Sequence, residues 1–230
     1  MYKQGNTQEL ISEYYAFRFL KAIGVRTAEY QIHRTTSEET GLETVCIVTK
    51  DFTNNANFDF EPFCNYYSDR EEPEYILAKL PESMHPAYVM MLFYDALLFN
   101  GDRHNQNVGF LRSSETGQIL ELAPYFDFNL SLASVVIPRI DTEAGNVFTR
   151  EFLLNDICCR ILKKHLPERN LIQHAISKAT AKPADTATLT PACAPSINAS
   201  LMTSLTSSAE EMPSSAAFAI TSDAISRKAH

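Results

Sequence analysis

Apolar positions in the first part of the chain follow helical spacing and then extended spacing. Residues 7 to 23 carry a broad apolar face at helical spacing, which predicts a helix. Two stretches rich in β-branched residues, 28 to 34 and 43 to 49, predict strands, and a Thr-Gly pair between them suits a hairpin turn. The Asn-rich, aromatic stretch from 51 to 67 is predicted to be a loop. The pattern therefore predicts a helix followed by a β hairpin.

Helical patterns dominate the second half of the chain. Pro86 stands where a helix would start, and residues 88 to 99 are nearly all apolar, as in a helix that is buried on most sides. A further amphipathic helix is predicted over 149 to 165, and a shorter helical stretch over 171 to 177. Ala, Ser and Thr then dominate residues 178 to 230, and such a tail cannot bury enough apolar surface to offset its ordering entropy. We predict that this tail is disordered.

Charge, cysteine content and hydropathy argue against several functional classes. The 230 residues include 20 Lys and Arg against 28 Asp and Glu, a net charge of −8. Nucleic acids and anionic membrane surfaces attract clustered basic residues, and the sequence contains no basic run. Its five cysteines lack the paired spacing of zinc sites, which indicates free thiols in a reducing compartment. With no apolar run of about 18 residues and no signal-peptide core, we predict a cytoplasmic protein that contacts neither nucleic acid nor membrane.

Two polar segments carry the candidate chemistry. Asp102 and Asn107 follow the apolar helix, and Asp127 follows a short apolar run. A phosphoryl-transfer site needs a carboxylate that orients the acceptor hydroxyl and then two oxygen ligands for Mg²⁺, in this order. We predict that all three residues are catalytic, with Asn107 and Asp127 as the metal ligands. The alternative is a capped polar turn, because Asn and Asp are common turn formers.

These segments resemble those of the HipA-like kinases, bacterial serine/threonine kinases with an N-x-D-x-H-x-x-N loop. The residues that carry the resemblance are Gly101-Asp102-Arg103-His104-Asn105-Gln106-Asn107 and Leu122-Ala123-Pro124-Tyr125-Phe126-Asp127. The resemblance covers about residues 1 to 170. It implies a protein-kinase-like α+β fold with a partial N-terminal lobe, made of a helix and a β hairpin, and a mostly helical C-terminal lobe. It also implies ATP and Mg²⁺ as cofactors and phosphoryl transfer to Ser or Thr of a protein substrate.

The resemblance implies nucleotide-binding residues as well. Lys3, ten residues ahead of Glu13, would contact the ATP phosphates, and Glu13 would hold it. Asp51 and Phe52 follow the second hairpin strand and resemble the segment that connects the two lobes, where the backbone would bind adenine and Phe52 would lie against the ring. The alternatives are a frayed terminal lysine for Lys3 and a solvated helix carboxylate for Glu13.

The predicted organisation is a partial N-terminal lobe with its connecting segment over 1–67, a helical lobe with the catalytic and metal loops over 68–177, and the tail. The seven glycines are scattered and nothing before Lys3 supplies the first strands of a kinase, so we expect an N-terminally truncated kinase with impaired catalysis. Three functions stay open: an active protein kinase, an inactive kinase-like module that binds a partner protein, and a kinase for a small molecule or lipid. The family resemblance also implies an antitoxin-like partner, as in a toxin–antitoxin pair.

Overall fold

The computed structural model of the chain describes most of residues 2 to 180. The described ranges are 2–3, 6–36, 41, 43–54, 56–68, 70–131, 152–153 and 155–180. The predicted disordered tail therefore lies outside the described residues from position 181 onward. Within those ranges the chain forms two small antiparallel sheets and five α-helices, a mixed architecture of the predicted α+β class.

The first sheet has three antiparallel strands in the order β1-β3-β2. β1 is Tyr2–Lys3, β2 is Tyr30–Thr36 and β3 is Glu43–Thr49. Helix α1, Thr7–Ala22, connects β1 to β2. It begins after Asn6, whose side-chain oxygen accepts a hydrogen bond of 2.9 Å from a main-chain N–H of the first turn. The predicted helix and hairpin are both present, and β2 begins slightly later than its pattern predicts.

The second sheet has the strand order β4-β5-β6 and is also antiparallel. β4 is Phe58–Pro62, β5 is Gly109–Ser113 and β6 is Ile119–Leu122. The prediction of a loop over 51 to 67 is therefore wrong for residues 58 to 62, which form β4. Aromatic and acidic residues alternate there, and they form a strand because they pair with β5, which lies far along the chain.

Four further helices complete the described part of the chain. They are α2, Pro73–Lys79; α3, His85–Leu98; α4, Asp156–His165; and α5, Arg169–Thr180. α3 is buried at every position from 88 to 98, as its apolar pattern predicts. It contacts α4, while α5 packs against α1. The helical part therefore packs around α3 and reaches the first sheet through α1.

The last two helices differ in extent from their predictions. The predicted helix of 149 to 165 is interrupted at Asn155: residues 152 and 153 are helical, and α4 begins after Asn155, which caps it by accepting a hydrogen bond of 2.8 Å from the Cys158 main-chain N–H. Residues 149–151 and 154 lie outside the described residues. α5 is longer than the predicted stretch of 171 to 177 and runs into the first positions of the predicted tail.

Buried apolar side chains form two clusters. The larger one surrounds α3 and includes Phe19, Leu20, Phe63, Phe110 and Phe128. The smaller one lies between α1 and the first sheet and consists of Leu10, Phe17, Ala28, Tyr30 and Ile47. Because α1 contributes to both clusters, it fixes the first sheet against the helical part of the molecule.

The described cysteines are free thiols, in line with the sequence prediction. Burial raises the pKa of the Cys158 thiol to about 12, so this sulfur stays protonated at neutral pH. No helix in the described part of the chain is both long and apolar enough to cross a membrane.

Candidate active site

Three predicted site residues from distant parts of the chain meet at one point. Lys3 Nζ lies 2.9 Å from Glu13 Oε2 and 2.6 Å from Asp127 Oδ1. Lys3 belongs to β1, Glu13 to α1, and Asp127 to the segment after β6. The Glu13 side chain is 2% exposed, whereas those of Lys3 and Asp127 are 40% and 27% exposed. The group is therefore anchored inside the protein at Glu13 and open to solvent at its other two members.

These contacts differ from both alternatives considered for the N-terminal residues. Lys3 is paired twice rather than frayed, and the Glu13 carboxylate is buried rather than solvated. Burial alone would lower the pKa of Lys3, but the charge of Glu13 and the hydrogen bonds to Asp127 and Glu13 outweigh it and hold the pKa above its ordinary value. Lys3 is therefore a cation at any physiological pH.

Tyr30, at the start of β2, adds a hydroxyl that the sequence analysis missed. The hydroxyl lies beside the Glu13 carboxylate. It accepts a hydrogen bond of 3.4 Å from the Asp127 main-chain N–H. Burial and the negative charge of Glu13 raise the pKa of Tyr30 far above its usual range, so the hydroxyl keeps its proton.

Asp127 itself has a left-handed backbone, with φ of 60°. Residues with a β-carbon rarely adopt this conformation, and it persists where the surroundings fix it. The aromatic neighbours do so here: the Phe126 ring stacks on Phe52 at 5.7 Å, and Phe128 is fully buried beneath the Arg103 guanidinium at 4.9 Å. The Asp127 carboxylate is thus held between two anchored rings.

Asn107 organises the polar loop that contains Asp102. Its Nδ2 donates to the Asp102 main-chain oxygen at 2.7 Å, and its Oδ1 accepts from the His104 main-chain N–H at 3.1 Å. Asn107 is only 3% exposed. The Asp102 carboxylate, by contrast, is half-buried and makes no hydrogen bond or ion pair with the other described residues. The loop therefore presents this carboxylate while Asn107 fixes the backbone that carries it.

Arg103 joins this loop to α3 and to the Asp127 segment, and the sequence analysis gave it no role. Its Nε and Nη2 each donate to Asp95 at 2.9 Å, a bidentate pair with side chains only 8% and 3% exposed. Its Nη1 donates to the main-chain oxygens of Asn107, at 2.8 Å, and Phe126, at 2.9 Å. Because Nη1 bonds to both segments, it fixes the position of the Asp102 loop relative to Asp127.

A signal for this contact exists in the sequence. Asp95 is the one acidic residue in the otherwise apolar stretch from 88 to 99. A charged residue is seldom fully buried unless it is paired, so a basic partner nearby was to be expected. Burial alone would lower the pKa of Arg103, but Asp95 holds it above its ordinary value.

Asp51 and Phe52 lie between β3 and β4, where the chain passes from the first sheet to the second. The Asp51 carboxylate accepts two hydrogen bonds inside its own turn, from the Thr53 main-chain N–H at 2.8 Å and hydroxyl at 2.7 Å. The Phe52 ring packs on Phe126 and edge-on against Phe60. The structure thus brings Phe52 next to the segment of Asp127, and the Asp51 side chain caps the connection.

The donors at this site fit Mg²⁺ better than a transition metal. Asp127 and Asn107 offer oxygen atoms only, the donor type that Mg²⁺ prefers. Asp127 Oδ1 is paired with Lys3, and Asn107 Oδ1 already accepts two hydrogen bonds. In the described ranges no cluster of three His, Cys, Asp or Glu side chains could enclose a metal ion. A magnesium ion here would take its other ligands from phosphate oxygens and water, as is usual for this ion.

Comparison with known proteins places this geometry in a known fold. No protein-family model matches the chain, and neither does any curated protein sequence. Among solved structures it is similar to the proinflammatory kinase CtkA of Helicobacter pylori, with a TM-score of 0.64 and 20% identity over 99% of this chain and 91% of that one. It is also similar to HipA of Shewanella oneidensis MR-1, solved as a toxin–antitoxin complex with HipB and operator DNA, with a TM-score of 0.49 and 14% identity over 92% of this chain and 57% of that one. The similarity to CtkA confirms the predicted fold class: the chain has a kinase-like α+β fold.

Proposed function

We propose that the chain is an ATP- and Mg²⁺-dependent kinase that transfers the γ-phosphoryl group of ATP to a Ser or Thr hydroxyl of a protein substrate. One observation carries the proposal: Lys3 bridges Glu13 and Asp127, while Arg103 ties the loop of Asp102 to the same segment. Kinases need a cation for the phosphates, metal ligands and a hydroxyl-orienting carboxylate in one place. The kinase-like fold supports the same proposed function.

Lys3 is suited to contact phosphate. An ammonium group has three N–H donors, and Lys3 uses two of them on Glu13 and Asp127. The third makes no hydrogen bond to the other described residues and can contact a phosphate oxygen at the half-exposed end of the group. Glu13, which is buried, holds the lysine in place.

Asp127 and Asn107 are the proposed metal ligands, and Asp102 is the proposed base. When bound, Mg²⁺ would neutralise charge on the phosphates of ATP. Asp127 offers its second carboxylate oxygen for that ion, and Asn107 offers its amide oxygen if the bond from the His104 N–H lengthens. Asp102 accepts the proton of the attacking hydroxyl, a role suited to a half-buried carboxylate that makes no hydrogen bond or ion pair with the other described residues.

An inactive kinase-like module that binds a partner protein is the second candidate. Two observations favour it: the Asn107 amide oxygen is already occupied by two donors, and no Gly-rich stretch is present in the sequence to wrap the phosphates. An antitoxin-like partner, implied by the family resemblance, belongs with either candidate. Pull-down of the chain with the product of an adjacent gene would test that partner.

The test compares wild type with Asp102→Asn and Asp127→Ala, using labelled ATP, Mg²⁺ and a mixture of protein substrates. Asp102→Asn is expected to keep MgATP binding in a thermal-shift assay and to lose transfer by roughly 10²-fold or more, the usual contribution of a general base. Asp127→Ala is expected to lose the Mg²⁺-dependent part of binding. Asp59→Asn, an exposed carboxylate on β4, is the matched control and should behave as wild type.

The outcomes separate the candidates. A wild-type chain that binds no nucleotide contradicts the kinase assignment. A chain that binds MgATP and transfers nothing to any protein supports the inactive module. Transfer to a lipid or small hydroxyl compound, with none to protein, would contradict the proposed protein substrate but not the proposed roles of the site residues.

A further inference from the structure

The Tyr30 hydroxyl touches two parts of the proposed site at once. It lies beside the Glu13 carboxylate of α1 and accepts a hydrogen bond from the main-chain N–H of Asp127, at 3.4 Å. Glu13 and Asp127 are also the two residues that Lys3 bridges. A second link, independent of Lys3, therefore joins α1 to the segment of Asp127.

The ring that carries this hydroxyl is fixed. Tyr30 is 7% exposed and stands at the start of β2, where it pairs with Thr49 of β3. Phe17 packs edge-on against its ring at 5.7 Å, within the cluster between α1 and the first sheet. A buried aromatic ring with a polar tip places its oxygen accurately because the ring has few rotatable bonds.

Asp127, whose main-chain N–H donates to the Tyr30 hydroxyl, needs such support. Asp127 has φ of 60°, a conformation that costs energy for a residue with a β-carbon. Its main-chain N–H faces Tyr30, so the hydrogen bond acts on the strained residue itself. The direction of the Asp127 carboxylate toward Lys3 depends on that backbone conformation.

We infer that Tyr30 is a positioning residue of the proposed kinase site: its hydroxyl holds the Asp127 backbone in the left-handed conformation, and its ring ties that segment to α1 through Phe17. The inference rests on the proposed function for its catalytic consequence. Its structural part concerns the chain alone. Tyr30 touches no reacting group and acts through Asp127.

The first experiment uses the nucleotide-free protein, so it does not depend on kinase activity. Hydrogen exchange of the Asp127 amide is followed by NMR in wild type and in Tyr30→Phe, which keeps the ring and its packing. The Asp127 amide is expected to be protected in wild type and to exchange roughly twofold faster in Tyr30→Phe, because the hydrogen bond that is lost is long, at 3.4 Å. Tyr94→Phe is the matched control, because Tyr94 is buried in α3 and its hydroxyl makes no hydrogen bond with the other described residues.

An unprotected Asp127 amide in wild type would overturn the inference without any variant. So would equal exchange rates in Tyr30→Phe and wild type. Faster exchange in Tyr30→Phe alone, with Tyr94→Phe unchanged, supports it.

The second experiment measures the catalytic consequence. In Tyr30→Phe the Mg²⁺ concentration for half-maximal transfer is expected to rise roughly tenfold, while the KM for the protein acceptor stays unchanged. A purely structural defect would reduce the active fraction and leave the Mg²⁺ midpoint where it is, which would overturn the positioning role. If wild type transfers no phosphoryl group while its Asp127 amide shows the expected protection, the proposed function fails and the Tyr30 link stands.

Discussion

The buried pair between Arg103 and Asp95 gives the sharpest test of how the site is held. Asp95→Asn keeps the size of the side chain and removes its charge. Arg103 donates to both oxygens of Asp95 at 2.9 Å, and Asn100 donates to one of them at 2.7 Å. In the variant an amide NH₂ replaces one acceptor, so it meets N–H donors of its neighbours.

The expected loss in the free energy of unfolding follows from the burial of the Arg103–Asp95 pair. The side chains of Arg103 and Asp95 are 8% and 3% exposed, so water cannot take over the lost interaction. Removing one partner of a buried ion pair costs about 3–5 kcal/mol, and we expect about 3 kcal/mol because the amide still offers one oxygen. The control Asp59→Asn changes the net charge equally but affects a pair 3.8 Å apart whose side chains are 50% and 40% exposed. Such a surface pair contributes about 0–1 kcal/mol.

Urea unfolding of wild type and both variants, followed by circular dichroism at one pH and salt concentration, measures the difference. Asp95→Asn should lower the midpoint by roughly 1–1.5 M urea without a change of slope. Asp59→Asn should lie within roughly 0.5 M of wild type on the same scale. Equal losses in the two variants would refute the claim that the Arg103–Asp95 pair supports the loop.

Two further predictions concern packing and pH. Gly109→Ala should lower the thermal midpoint, since a β-carbon there would overlap the Glu61 main-chain oxygen of β4, and overpacking of this kind costs about 1–3 kcal/mol. A silent Gly109→Ala would argue against the β4–β5 pairing. The pKa of Lys3 is raised above 10.5, so its ion pairs contribute stability that is complete below pH 10.5 and is lost as the pH rises through the raised value. The stability gap between wild type and Lys3→Met, measured by urea unfolding, should therefore be constant from pH 7 to 9 and shrink above pH 10.5; a constant gap throughout would contradict the pairing.

Local patterns predicted the elements that depend on local sequence. The strand over 43 to 49 and the buried helix α3 were both readable, because β-branched runs and an unbroken apolar stretch specify them without distant partners. β4 was missed, since its alternation becomes a strand only by pairing with β5. The interruption of the predicted helix of 149 to 165 was missed, because a single cap at Asn155 sets it.

The site residues also divide into those that local sequence indicates and those that depend on distant contacts. The spacing of Asp102, Asn107 and Asp127 could be read from the sequence because a loop and the residue after a short apolar run are local features. Arg103 and Tyr30 could not be assigned, because their importance lies in contacts with distant residues: Asp95 is 8 positions from Arg103, and Asp127 is 97 positions from Tyr30. The isolated acid in α3 was the only local sign of that arrangement.

Phosphoryl transfer to protein tests the central claim most directly. The chain is incubated with MgATP and a protein mixture, and phosphorylated Ser and Thr are identified by mass spectrometry, with Asp102→Asn in parallel. We expect phosphoserine or phosphothreonine that depends on Mg²⁺ and falls by roughly 10²-fold or more in Asp102→Asn. Equal phosphorylation by wild type and Asp102→Asn, or none by wild type with all Mg²⁺ and ATP requirements met, would contradict it.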